Sequence, residues 1–112
     1  MQIYIRARHV EVTEVLHAQV ERRLGFVLGR FGARIGRVVV RFSDTNGHRG
    51  GREKRCQIDV GLRPLGSVRS EDTDADLFVA VNGAAARVAR AVARVLERER
   101  EKEGNHHARK AK

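Results

Sequence analysis

The chain has 112 residues, 23 of them Lys or Arg against 14 Asp or Glu, for a formal net charge of +9 and a pI near 11.1. That length suits one two-layer domain and is too short for two, and a single cysteine excludes a disulfide framework or a thiolate metal cluster. No apolar run approaches the ~18 residues of a membrane span and the N-terminus alternates like a strand, so the expectation is a soluble, cytoplasmic protein with a polyanionic partner.

Residues Gln2 to Arg8 alternate, with Ile3, Ile5 and Ala7 on one side and Tyr4, Arg6 and Arg8 on the other, which predicts a half-buried strand. Thr13 is a suitable N-cap for a helix whose apolar positions are Leu16, Val20, Leu24, Val27, Leu28 and Phe31. Gly32 and Gly36 are expected to end it. A second strand is predicted over Arg37 to Ser43, with Val38, Val40 and Phe42 inward. Asp44 to Gly51 carries turn chemistry, and its His48 and Arg49, with the following Arg52, are candidates to touch a nucleic-acid backbone. A third strand, Glu53 to Arg63, places Cys56, Ile58, Val60 and Leu62 inward. Pro64 ends it, and Leu65-Gly66 turns into a short fourth strand through Val68 and Ser70. Asp72, Thr73, Asp74 and Asp76 are then expected to crowd the start of a last helix, where carboxylates suit the macrodipole.

That helix carries the main signal. Leu77 to Leu96 contains no acidic side chain, and Arg87, Arg90, Arg94 and Arg98 fall within roughly 80° of one another. Phe78, Val81, Ala85, Val88, Val92 and Val95 lie nearly opposite and are expected to face the core. Like charges repel by a few tenths of a kcal/mol per adjacent pair unless an anion takes them up. Glu99 and Glu103 share the sector of the valines, so the buried face is expected to stop near Leu96, with Glu99 paired to Lys102 beyond it. Gly104-Asn105 is a predicted stop, dividing a domain over 1–103 from a disordered basic tail over 104–112. The arrangement predicted is α+β, in the order β-α-β-β-β-α, with two helices on one face of a four-stranded sheet.

Of the 23 basic residues, 19 are arginine, whose planar fork grips phosphate bidentately. On the first helix Arg22, Phe26 and Arg30 stand at i, i+4 and i+8, where an aromatic between two arginines can stack on an unpaired base. Arginines on the strands fall mostly on the sheet face away from the helices, a pattern that solubilises that face. Chemistry has little support. Cys56 alternates with core residues, His9 and His17 lack a carboxylate at useful spacing, and His106-His107 have no third ligand. No catalytic residue, metal site, cofactor or small-molecule substrate is expected, and an RNA-processing nuclease would need a carboxylate cluster that is not evident.

The opening Met1-Gln2-Ile3 strand, the run Arg8-His9-Val10-Glu11-Val12-Thr13 and the helix reading Val20-x-x-x-Leu24 resemble a known family. So does Glu71-Asp72-Thr73-Asp74-Ala75-Asp76-Leu77-Phe78-Val79-Ala80-Val81. The family is that of ribosome hibernation-promoting factors, also called ribosome-associated inhibitor A or sigma-54 modulation proteins, and the resemblance covers residues 1 to about 103, in a short single-domain form. It implies a double-stranded-RNA-binding-like fold that docks on the small ribosomal subunit, in the decoding region, and blocks mRNA and tRNA. The family's binding positions match Arg22 and Arg23 on the first helix and Arg87, Arg90 and Arg94 on the second. With Phe26, Arg30 and Arg98 from the helical geometry, these form the predicted RNA-binding set. Asn82 stands where many relatives carry aspartate. Long members pair ribosomes through a second domain, so pairing by this chain alone is not expected and self-association is not required. The alternative is a regulator that presents its basic helix to an acidic protein surface.

Overall fold

A computed structural model describes residues 1–44 and 53–110, with side chains as far as Glu103. Strand β1 (Gln2–Arg8) leads into helix α1 (Glu14–Leu28), and a 3₁₀ turn (Gly29–Arg34) brings the chain to β2 (Ile35–Asp44). Strands β3 (Lys54–Leu62) and β4 (Gly66–Asp74) and helix α2 (Leu77–Lys110) follow. The sheet order is β1-β2-β3-β4. β1 runs parallel to β2, which the α1 crossover allows, and the other pairs are antiparallel. This is the expected β-α-β-β-β-α fold, two helices on a four-stranded sheet.

Alternation along the strands sorts the core from the open face. Val38, Val40 and Phe42 of β2 and Cys56, Ile58, Val60 and Leu62 of β3 are buried, with Val40 opposite Ile58 and Phe42 opposite Cys56. α1 adds Leu16, Val20, Leu24 and Leu28 at steps of four, each Leu or Val contributing about 1.5–3 kcal/mol by leaving water. α2 adds Ala80, Val81, Ala84, Ala85, Val88, Ala89 and Val92, small residues that let its axis lie close to the sheet. Among the described residues no polar or charged side chain is fully buried, so each arginine described reaches a surface.

The helix starts follow their capping chemistry. Thr13 Oγ1 accepts from Leu16 N at 3.1 Å, and Asp76 Oδ1 accepts from Phe78 N at 2.8 Å. Asp74 accepts from Asp76 N at 2.9 Å, closing the turn before α2.

Several boundaries differ from expectation. α1 ends at Leu28 rather than near Phe31, because the chain tightens into 3₁₀ geometry and Gly32 takes φ 52°, ψ −126°, which favours glycine. Gly36 lies within β2, beside the register shift between Ile35 and Val38. β4 continues to Asp74, so Asp72 belongs to a strand, opposite Cys56, and not to the start of α2. Phe78 is 37% exposed, because in the first turn of α2 Leu77 and Ala80 turn inward instead. Ala7, near the end of an edge strand, is exposed as well. Beyond Leu96, Glu99 still docks: both its oxygens accept from Arg34 Nη2, at 2.7 and 2.9 Å, and Arg34 Nε donates to the Arg63 carbonyl at 2.9 Å. Glu99 is therefore tied to the body of the protein and not to Lys102. The α2 backbone also runs through the stop expected at Gly104-Asn105. The expected turn with His48, Arg49 and Arg52, and the side chains of the expected basic tail, lie outside the described residues.

Candidate nucleic-acid interface

The α1 half of the candidate surface is built around Phe26. This ring is 80% exposed, more than any other large apolar side chain among the described residues. The guanidinium of Arg23 lies 5.9 Å from its centroid, within cation–π range. Arg23, and not Arg22, is thus the arginine that meets the ring. Arg23 is half-buried, and its Nε is shielded from solvent without a hydrogen-bond partner, an unusual condition for a strong donor. Arg22 is exposed and donates from Nη2 to Gln19 Oε1. Gln19 Nε2 in turn donates to Asn82 Oδ1 of α2 at 3.0 Å. A chain of side-chain hydrogen bonds therefore crosses from Arg22 to the second helix. Arg30 falls in the 3₁₀ turn, so the line predicted through Arg22, Phe26 and Arg30 breaks at its last member, and Arg30 stacks over Phe31 at 4.7 Å instead.

The α2 half divides the four-arginine line in two. Arg87, Arg90, Arg94 and Arg98 are all exposed, as their shared sector requires. Arg87 leans toward β4: its Nη1 donates to the Glu71 carbonyl at 2.9 Å and lies 3.7 Å from the Asp72 carboxylate. Glycine at 83 makes room for that carboxylate, since a Cβ there would sit 1.8 Å from Asp72 Oδ2. Arg98 leans toward the turn between β3 and β4, lining a shallow cleft of about 200 Å³ with Leu65 and Glu99. Arg90 and Arg94 make no hydrogen bond or ion pair among the described residues. Both stand exposed on the sector of α2 opposite its buried valines, Arg90 being turned roughly 60° from Arg87 about the helix axis, toward the side on which Asn82 meets α1. Where the helices meet further along, Arg30, Phe31, Ala93, Leu96, Glu97 and Arg100 line a cleft of about 330 Å³, so one carboxylate sits among the basic groups there.

Other chemistry is thin. Among the described residues no three His, Cys, Asp or Glu side chains gather to hold a metal ion. Nor, among them, is any helix long and apolar enough to cross a membrane. Burial, with a smaller contribution from Asp72, pushes the Cys56 thiol up to about 12, so it stays neutral in the core.

The sequence matches the family described as sigma 54 modulation protein / S30EA ribosomal protein over residues 3–100. The chain belongs to that family. Among solved structures, this S30EA-family chain is similar to the Protein Y N-terminal domain of Thermus thermophilus, with a TM-score of 0.70 and 32% identity, covering 85% of this chain and 99% of that one. It is also similar to a ribosomal subunit interface protein from Coxiella burnetii, with a TM-score of 0.71 over 87% of this chain and 99% of that one. At 15% identity, the second likeness concerns the fold alone. A comparison with curated proteins finds no match. The family match spans every candidate from Arg22 to Arg98. Sequence reasoning missed Gln19 and Asn82, which couple the helices, and Asp72, which holds Arg87. A signal for Asp72 was present: it continues the alternation Val68, Ser70 onto the helix side of β4.

Proposed function

We propose that this chain is a ribosome hibernation factor that binds small-subunit rRNA in the decoding region through the outer face of its helix pair. Bound there, it blocks mRNA and tRNA by occupying their space. Membership of a family described by a ribosomal protein supports ribosome association and, with it, work in the cytoplasm. The observation that carries the finer reading is the outer surface itself. Arg90 and Arg94 make no ion pair among the described residues, and they share the helix pair with Arg23 and the exposed Phe26. Guanidinium groups carried on a rigid helix grip phosphates bidentately, losing less freedom per hydrogen bond than an ammonium would. Phe26 is placed to stack on an unpaired base. Inhibition then needs no bond made or broken, only occupancy, and it reverses on release.

Pelleting with ribosomes tests this reading. Arg90→Glu with Arg94→Glu should abolish co-sedimentation, while the wild type should lose about 10³-fold or more in affinity between 50 and 200 mM salt if six or more phosphates are contacted. Unchanged pelleting of the double variant would overturn the proposal. A discrete protein complex that survives nuclease would instead favour a protein-binding regulator.

A further inference from the structure

The open face of the sheet, on the side opposite the helices, holds a second concentration of arginine. Arg6 of β1 stands directly opposite Arg41 of β2, and Arg8 stands opposite Ser43, which faces Arg55 of β3. Arg6, Arg8, Arg41 and Arg55 line one open cleft of about 460 Å³, with Ser43 and Gln57 beside them. Like charges directly opposite on neighbouring strands destabilise a sheet, and the carboxylates of this face do not relieve all of them. Asp59 is shared between Arg41, at 2.8 Å, and Arg69. Glu71 lies 3.7 Å from Arg55, which also reaches Ser43 Oγ at 3.4 Å. Arg6 and Arg8 make no ion pair or hydrogen bond among the described residues. Next to them, Arg37 lies over the Tyr4 ring at 4.6 Å, and Tyr4 is 38% exposed.

We infer that this face is a second RNA-contacting surface, distinct from the helix pair, so that the bound protein is gripped on both layers by separate RNA segments. A small phosphate would need donors converging on one point. Here the arginines spread over three strands, and Arg6 and Arg8 follow each other at about 6.7 Å along β1, a spacing suited to successive backbone phosphates. An aromatic with a stacked guanidinium at the border of a basic groove fits single-stranded RNA, whose bases need a flat partner. A sheet face whose arginines served solubility alone would not need Arg6 and Arg41 side by side. The sheet contact stands without the helix surface, whereas the grip on both layers rests on the proposed helix reading.

Arg6→Ser with Arg8→Ser removes two side chains that have no partner among the described residues, so the fold is kept; binding to purified small subunits is measured at several salt concentrations beside Arg90→Glu/Arg94→Glu. The sheet variant should bind about 10-fold more weakly, with a log–log salt slope reduced by about 2. Ultraviolet cross-linking of the wild type should yield β1 peptides carrying a nucleotide at Tyr4. Unchanged affinity and slope in the sheet variant overturn the inference, as does cross-linking of β1 to ribosomal protein alone. If only the sheet variant weakens, the sheet surface stands and the helix reading falls.

Discussion

Arg87 differs from Arg90 and Arg94 in having a partner within the protein. Its guanidinium is hydrogen-bonded to the Glu71 carbonyl and lies 3.7 Å from Asp72, so a phosphate must compete with a carboxylate for it. With Arg87 57% and Asp72 24% exposed, solvent screens the pair, and such an interaction is worth about 0.5–1 kcal/mol. Asp72→Asn should therefore raise RNA affinity by about 2- to 5-fold at low salt, read by filter binding to small-subunit rRNA; a drop in affinity would mean that Asp72 positions Arg87 instead of occupying it. The same carboxylate adds to the burial that lifts the Cys56 thiol from 9.0 to about 12. Because the folded state favours the neutral thiol, its contribution to stability is complete below about pH 9 and is lost as pH rises toward 12. Wild-type protein should lose more urea resistance than Cys56→Ala between about pH 8 and pH 10.5, and parallel losses would refute the coupling. At this scale the exposed arginines were readable from their spacing. The partners that divide them were not, because Asp72 and Arg87 lie fifteen positions apart and meet only after β4 and α2 pack.

The elements were legible wherever apolar residues kept one period. Val38, Val40 and Phe42 declare a strand, and Leu16, Val20, Leu24 and Leu28 declare a helix, and all seven are buried. Boundaries failed where one residue type serves two structures. Asp72, Thr73 and Asp74 read as helix-start chemistry, yet an antiparallel partner in β3 keeps them in the ladder. Tertiary pairing also overrode the expected end of the docked part of α2. Glu99 is 65 positions from Arg34, and nothing local announces their two hydrogen bonds. Glu99→Gln keeps the shape and removes the charge, so it isolates this attachment. Because Arg34 and Glu99 are 39% and 22% exposed, we expect a cost of about 1 kcal/mol after screening. That lowers the melting temperature by a few degrees. Amide exchange should quicken over residues 96–103 while the sheet stays protected; a uniform change would mean that Glu99 supports the whole fold and not the helix end.

Across the whole molecule, a net charge of +9 surrounds a core with no buried polar or charged residue among the described residues, and both layers turn arginine outward. Contacts and field then have separate kinetic signatures. A residue that touches RNA sets how long the complex lasts, whereas one that adds only to the field sets how often it forms. Lys102 is exposed on α2, past the last core contacts and two turns beyond Arg94, where it lines the cleft beside Arg98. Its replacement by glutamate alters net charge by two without removing a proposed contact. Association with small subunits should slow about 2- to 3-fold at low salt and recover toward wild type near 0.5 M, where the Debye length falls to about 4–5 Å. Dissociation should not change. Arg94→Ala should do the reverse, with faster dissociation and nearly constant association, because affinity differences within one interface reside mostly in the off-rate. Stopped-flow fluorescence on labelled subunits separates the two. If Lys102→Glu accelerates dissociation as strongly as Arg94→Ala, the interface extends along α2 beyond Arg98 and the helix face has been drawn too short.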